Sequence, residues 1–159
     1  MKNEYQLTHL APNGSPTMVD VGEKQVTPRV AVAKSRLLMA AQTVNAIKQG
    51  DGPKGEILLT AKIAGIQAAK LTSQLIPLCH SISLDQVDLK ADWIDSNVLE
   101  WTATVKVFAK TGVEMEAMVA ASVAALTVYD MCKAIDQNME ITHVGLWFKE
   151  GGKRGTFRR

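Results

Sequence analysis

The segment KTGVEMEAMVAASVAALTVYDMCKAI, residues 110–135, puts ionisable groups at both ends of an apolar run, with Glu114 and Glu116 at its start and Asp130 and Lys133 near its end. Packing alone asks of a helix only an apolar stripe, and charged side chains almost never lie fully buried unless paired. The segment therefore reads as a core helix that also carries chemistry. Asp130 and Lys133, three residues apart, occupy neighbouring surface positions and can form an acid–base pair. Seventeen positions separate Glu116 from Lys133. That is ~25 Å along a straight helix at ~1.5 Å per residue, too far for one small-molecule site. Either the glutamates serve a different site, or the Gly112 turn folds them back, or two copies of the chain meet so that one helix start faces another helix end. The plainer alternative is a pair of solvated helix ends, acids near the N-terminus and a lysine near the C-terminus, as the macrodipole favours. Ala120, Ala121, Ala124 and Ala125 would let this helix approach a second backbone closely, and we expect that backbone in another subunit.

Further candidates fall in turns. His80 follows Cys79 in the proline-marked LIPLCH, where irregular backbone aims side chains, and an imidazole there can exchange protons or hydrogen-bond an oxygen. A structural histidine is the plain alternative. A metal site would recruit Cys79, His80, Cys132 and His143, but no two of these have finger-like or HExxH spacing, so no metal is expected. Lys54, between Pro53 and Gly55, is free to reach over a ligand, although its segment lacks the spaced glycines and the hydroxyl residue of a P-loop. The tail interleaves Lys149, Lys153, Arg154, Arg158 and Arg159 with Gly151, Gly152 and Gly155. Such a mixture suits a polyphosphate, because glycine lets backbone N–H groups approach while lysine supplies a point charge. A nucleic-acid arm fits less well, since Phe157 is its only aromatic residue.

Those residues need elements to hold them. A chain of 159 residues fits one domain with a real core. Its 18 basic and 16 acidic side chains are too balanced to predict nucleic-acid or membrane binding. The apolar run from Ala117 to Val128 is twelve residues, short of a bilayer span, and the polar MKNEYQLTHL start has no apolar h-region. Two cysteines without a CxxC motif point to a reducing compartment, and a cytoplasmic protein is expected.

Residues 1–28, rich in proline and glycine, read as an extended arm of the kind that docks on a neighbouring subunit. From Arg29 a strand leads to a short helix over residues 40–48 closed by Gly50, and apolar spacing then predicts a helix from Glu56 to the Ile76-Pro77 break. Two alternating segments, Val87 to Trp93 and Leu99 to Val107, joined by Asp95-Ser96-Asn97, predict a hairpin with one polar face. A last strand over residues 141–148 and a flexible basic tail over 149–159 complete the chain. The class expected is α+β, one catalytic domain over 29–148 in which helices cover one face of an antiparallel sheet.

Several stretches together are similar to the cyclic pyranopterin monophosphate synthase family, the molybdenum cofactor biosynthesis protein C family. They are MVDV at 18–21, AKIAGIQAAK at 61–70, LIPLCH at 75–80, KTGVEMEA at 110–117, ASVAALTVYDMCKA at 121–134 and the GGKRG tail. The resemblance implies an enzyme, a lyase. It would convert 3′,8-cyclo-7,8-dihydroguanosine 5′-triphosphate, derived from GTP, to cyclic pyranopterin monophosphate and pyrophosphate. It further implies an α+β fold and a homohexamer built as a trimer of dimers with sites where subunits meet. Carried over position by position, the catalytic residues fall on Asp130, Lys133 and Lys54. The substrate-binding residues fall on Leu78, Cys79, His80, Met115 and Glu116 with Glu114 beside them, and on Lys149 and Lys153. The glycine loop reads KEGGKRG where the family commonly shows serines, and GPKGE has glutamate in place of the usual aspartate, differences that touch fine phosphate contacts. Lysines of lowered pKa and an oriented carboxylate would suit the proton transfers. No cofactor is implied; a magnesium ion riding on the substrate triphosphate fits the chemistry, without a dedicated site in the sequence. The alternatives are another nucleotide-triphosphate cyclohydrolase and a non-catalytic oligomeric module binding a pterin or nucleotide.

Overall fold

The computed structural model describes residues 8–50, 56–152 and 155–159. Strand β1 (Thr27–Leu38) sets the frame, because its side chains alternate between two environments: Ala31, Ala33, Ser35 and Leu37 are fully buried, while Val30, Val32, Lys34 and Arg36 point to the other face. Helix α1 (Ala41–Gln49) comes next. Ala40 at its start offers no capping side chain; the Asp136 carboxylate accepts a hydrogen bond from the Ala40 N–H at 2.8 Å and one from the Thr43 hydroxyl at 3.2 Å. Gly50 ends the helix in the left-handed region at φ 72°.

Helix α2 (Ile57–Lys70) stops before the predicted proline break, and a single turn, α3 (Thr72–Leu75), continues it. The interruption has a local cause. The Thr72 hydroxyl bonds back to the carbonyls of Ala69 at 3.0 Å and Ala68 at 3.4 Å, competing with the regular helical pattern. Strands β2 (Gln86–Asp95) and β3 (Val98–Ala109) form the expected hairpin, with a bulge between Trp93 and Asp95. Helix α4 (Glu114–Cys132), β4 (Glu140–Glu150) and β5 (Phe157–Arg158) complete the chain. Phe157 and Arg158 pair with Lys149 and Phe148, so strand pairing runs into the segment read as a tail.

The sheet order is β2-β3-β1-β4-β5 with every neighbouring pair antiparallel. The domain is α+β, a five-stranded antiparallel sheet with helices packed on one face. Register decides which strand ends come together. Thr27 pairs with Ala109 and Val30 with Glu150, so the start of β1, the end of β3 and the end of β4 meet at one margin of the sheet.

The alanine seam of α4 is used inside the chain. Ala120, Ala121, Ala124 and Ala125 are all fully buried, and the Ser35 hydroxyl donates to the Ala121 carbonyl at 2.7 Å. On α2, a Cβ placed at Gly65 would lie 2.5 Å from Leu89 Cδ2 and 2.8 Å from the Ala120 carbonyl oxygen. This corrects the expectation that the small residues serve another subunit: they let α4 settle on its own sheet and on α2. By length and composition α4 is long and apolar enough to cross a membrane. Its burial against β1 and α2 accounts for that composition.

Gly65→Val should therefore lower the unfolding free energy by ~2–3 kcal/mol, in the range of overpacked cores, because a backbone carbonyl cannot move aside cheaply. Urea denaturation measures it; a loss under ~0.5 kcal/mol, the scale of an ordinary surface change, would show that α2 and α4 do not pack this closely.

Candidate active site

Where β1, β3 and β4 meet at the sheet margin, a cavity of about 470 Å³ opens. The predicted residues Leu78, Cys79, His80, Glu114, Met115, Glu116 and Lys149 all line it. Two routes bring them there. The first turn of α4 leaves the end of β3 through Thr111 and Gly112 and carries the glutamates, while the irregular chain after α3 carries Leu78 to His80. The Glu114 carboxylate folds back against Gly112, into the space a Cβ there would take.

The two glutamates meet different surroundings. Glu114 forms an ion pair with Lys149 Nζ at 2.9 Å. Glu116 is only 4% exposed, and burial pushes its carboxyl up to about 7, aided by the charge of Glu114 and opposed by a hydrogen bond from its own backbone. Burial, and after it the Glu116 charge, also raises the Cys79 thiol. Cys79 is thus disfavoured as a thiolate relative to a free cysteine. His80 Nε2 lies 2.7 Å from the Val19 carbonyl oxygen. A carbonyl only accepts, so that ring nitrogen carries the proton and donates.

Three further cations line the cavity and were not singled out from sequence: Lys24, Arg29 and Lys110. Arg29 sits near the start of β1 and donates, at 3.4 Å, to the carbonyls of Ala109 and Lys110. The turn after β4 passes beside it with Gly151 and Gly152 in the left-handed region, at φ 95° and 83°. A Cβ at Gly152 would collide with the Arg29 guanidinium. The signal that could have found Arg29 and Lys110 is their place at the ends of two alternating segments; only the register shows that those ends coincide. With Lys149 they give the cavity, among the described residues, four cations against two carboxyls, a balance that attracts a polyanion.

The single chain does not bring Asp130 and Lys133 here. They pair with each other at 2.6 Å, both more than half exposed, at the other end of α4. The hydrogen bond and charge of Asp130 raise the Lys133 ammonium, the opposite of the lowered pKa expected of a lysine base. Lys54 and Lys153 lie outside the described residues. Among the described residues no three of His, Cys, Asp and Glu gather as metal ligands would. Cys132 is buried in α4 and His143 lies on β4.

The sequence profile of the MoaC family matches residues 18–152. The chain belongs to the MoaC family. Relatives named cyclic pyranopterin monophosphate synthase match it over nearly their full length. That of Rhodopirellula baltica is 47% identical, covering 100% of this chain and 97% of its own. That of Brevibacillus brevis is 50% identical over 97% of this chain and 96% of its own, and that of Chloroflexus aurantiacus 49% over 97% and 95%. The family match takes in the glutamate turn, the Leu78 to His80 segment and all four cavity cations.

Because the Glu116 carboxyl is raised in the folded chain, the fold holds its proton more tightly than the unfolded chain does. That contribution is fully present below the ordinary value of 4.5 and is lost as pH rises toward about 7. Glu116→Gln cannot lose a proton. The Tm of the variant should gain on that of the parent as pH rises through this window, and parallel Tm–pH curves would place the titration elsewhere.

Proposed function

We propose that this chain is a lyase that converts 3′,8-cyclo-7,8-dihydroguanosine 5′-triphosphate to cyclic pyranopterin monophosphate with release of pyrophosphate, a step of molybdenum cofactor biosynthesis. The observation that carries the reading is near full-length similarity to relatives of that name, joined to a cavity that combines four cations with a buried carboxyl titrating near neutrality. Lys24, Arg29 and Lys149 would neutralise the triphosphate and the leaving pyrophosphate, with Lys110 adding to the positive field of the cavity. Glu116 has the pKa of a group able to take and return protons at pH 7. Leu78, Cys79, His80 and Met115 shape the space for the base.

The acid–base pair Asp130 and Lys133 then has to come from a second copy of the chain. In this proposal the protein is a cytoplasmic homohexamer, a trimer of dimers. The glutamate end of α4 in one protomer faces the Asp130 end of α4 in its partner, and Lys54 completes the catalytic set. No resident cofactor or metal is required, and magnesium arrives with the substrate triphosphate. Nucleic acid and membrane have no part in it.

Incubating the purified protein with the cyclic dihydro-GTP compound should yield pyrophosphate and a pterin by mass spectrometry. Binding without turnover would leave the non-catalytic module, and a different product would leave another cyclohydrolase. Lys54→Ala and Lys133→Ala should each cost at least ~100-fold in turnover, the scale of general acid–base contributions. Glu116→Ala and Lys133→Ala, each inactive alone, should recover activity when their subunits are mixed by partial denaturation and refolding. About half of the dimers formed are heterodimers and one of the two sites in each is intact, so recovery should approach roughly a quarter if sites act independently. Confirmed heterodimers as inactive as their parents would show that both residues serve one site from the same chain.

A further inference from the structure

None of residues 8–26 is buried, yet residues 19–24 form a defined turn across the mouth of the cavity. The turn is built locally. The Asp20 carboxylate accepts the Gly22 N–H at 2.7 Å, and the Lys24 N–H reaches the Val21 carbonyl at 3.1 Å. Two side chains of the cavity wall then hold it from below. His80 Nε2 donates to the Val19 carbonyl at 2.7 Å and Lys110 Nζ to the Gly22 carbonyl at 2.6 Å. Val19, Val21 and Lys24 thereby become part of the lining.

A segment with no buried side chain and, among the described residues, only such bonds to the body belongs to the least stable part of a fold, the part that opens locally. The substrate proposed above is large and anionic, and Lys24 is the one cation that the segment itself brings to the cavity. We propose that residues 17–25 are a strap that opens to admit the ligand and closes over it, and that Lys110 is the positioning residue that latches it at Gly22. Closing seats Lys24 and excludes water from one side of the cavity, while the other walls belong to the sheet margin and to α4. The kinetic consequence rests on the activity proposed above; the latch itself does not.

Hydrogen exchange read by mass spectrometry on the intact, full-length protein tests it. In Lys110→Met, peptides spanning 19–24 should exchange at least tenfold faster than in the parent. Lys110→Arg, which keeps a long cationic donor, should restore most of the protection. Adding the cyclic triphosphate substrate should slow exchange of the same peptides in the parent. In turnover, Lys110→Met should raise KM about tenfold, with a smaller fall in kcat. Parent-like exchange in Lys110→Met, failure of arginine to rescue, or faster exchange spread equally through α4 would overturn the latch. Strap protection that responds to Lys110 in a protein with no turnover would sustain the latch and sink the activity.

Discussion

Everything in this molecule depends on α4 lying flat on the sheet for its whole length. The alanine seam makes that possible, the Ser35 hydroxyl ties its middle to β1 through the Ala121 carbonyl, and Gly65 lets α2 close from the side. A helix pinned along such a seam cannot bend its ends toward each other. Its glutamate start and its Asp130–Lys133 end therefore stay ~25 Å apart, as ordinary helical rise dictates. One end faces a cavity built by its own chain, and the other presents an exposed ion pair to the outside. In the proposed reaction a single protomer would hold a binding half of the site and, at a distance, an acid–base half. The seam that stabilises the core is also what makes a second protomer chemically necessary in the proposed reaction.

Much of this was legible in the sequence because it is written in local periodicity. The alternation in β2 and β3, the closing glycine of α1 and the apolar spacing of α2 each arise from short-range pattern. The gathering of Leu78 to His80 with Glu114 to Glu116 was legible only through resemblance, since those segments lie more than thirty positions apart. What escaped was set by pairing across the chain. Arg29 and Lys110 converge because β1 and β3 pair in one particular register, and Asp136 caps α1 through the Ala40 N–H, 96 residues away. The alanine seam was read correctly as a close-packing surface and assigned to the wrong partner. Spacing defines the face of a helix but not what lies against it.

Three glutamates show why residue type and neighbouring sequence could not fix the chemistry. Glu100, on β3, is buried, and burial alone would raise it. The hydrogen bonds of Lys34 at 2.6 Å and Arg36 at 2.8 Å outweigh that and hold the carboxyl below its ordinary range. It is a fixed charge that joins two strands. Glu114, partly open to water, is paired with Lys149. Glu116, two residues further along the same helix, is as buried as Glu100, but burial prevails there and its carboxyl moves to about 7. Environments that push neighbouring carboxyls apart are how one fold assigns electrostatic and proton-transfer roles to the same residue type. The cations that decide the matter for Glu100 stand directly opposite or diagonal to it on β1, where the sheet register puts them. At Glu116 the helix turns the side chain into the cavity, and the charge that acts on it is the repulsion of Glu114. In the proposed reaction, a substrate nitrogen or phosphate oxygen entering that space would meet a group able to supply or accept a proton near neutral pH, beside cations that would bind its phosphates.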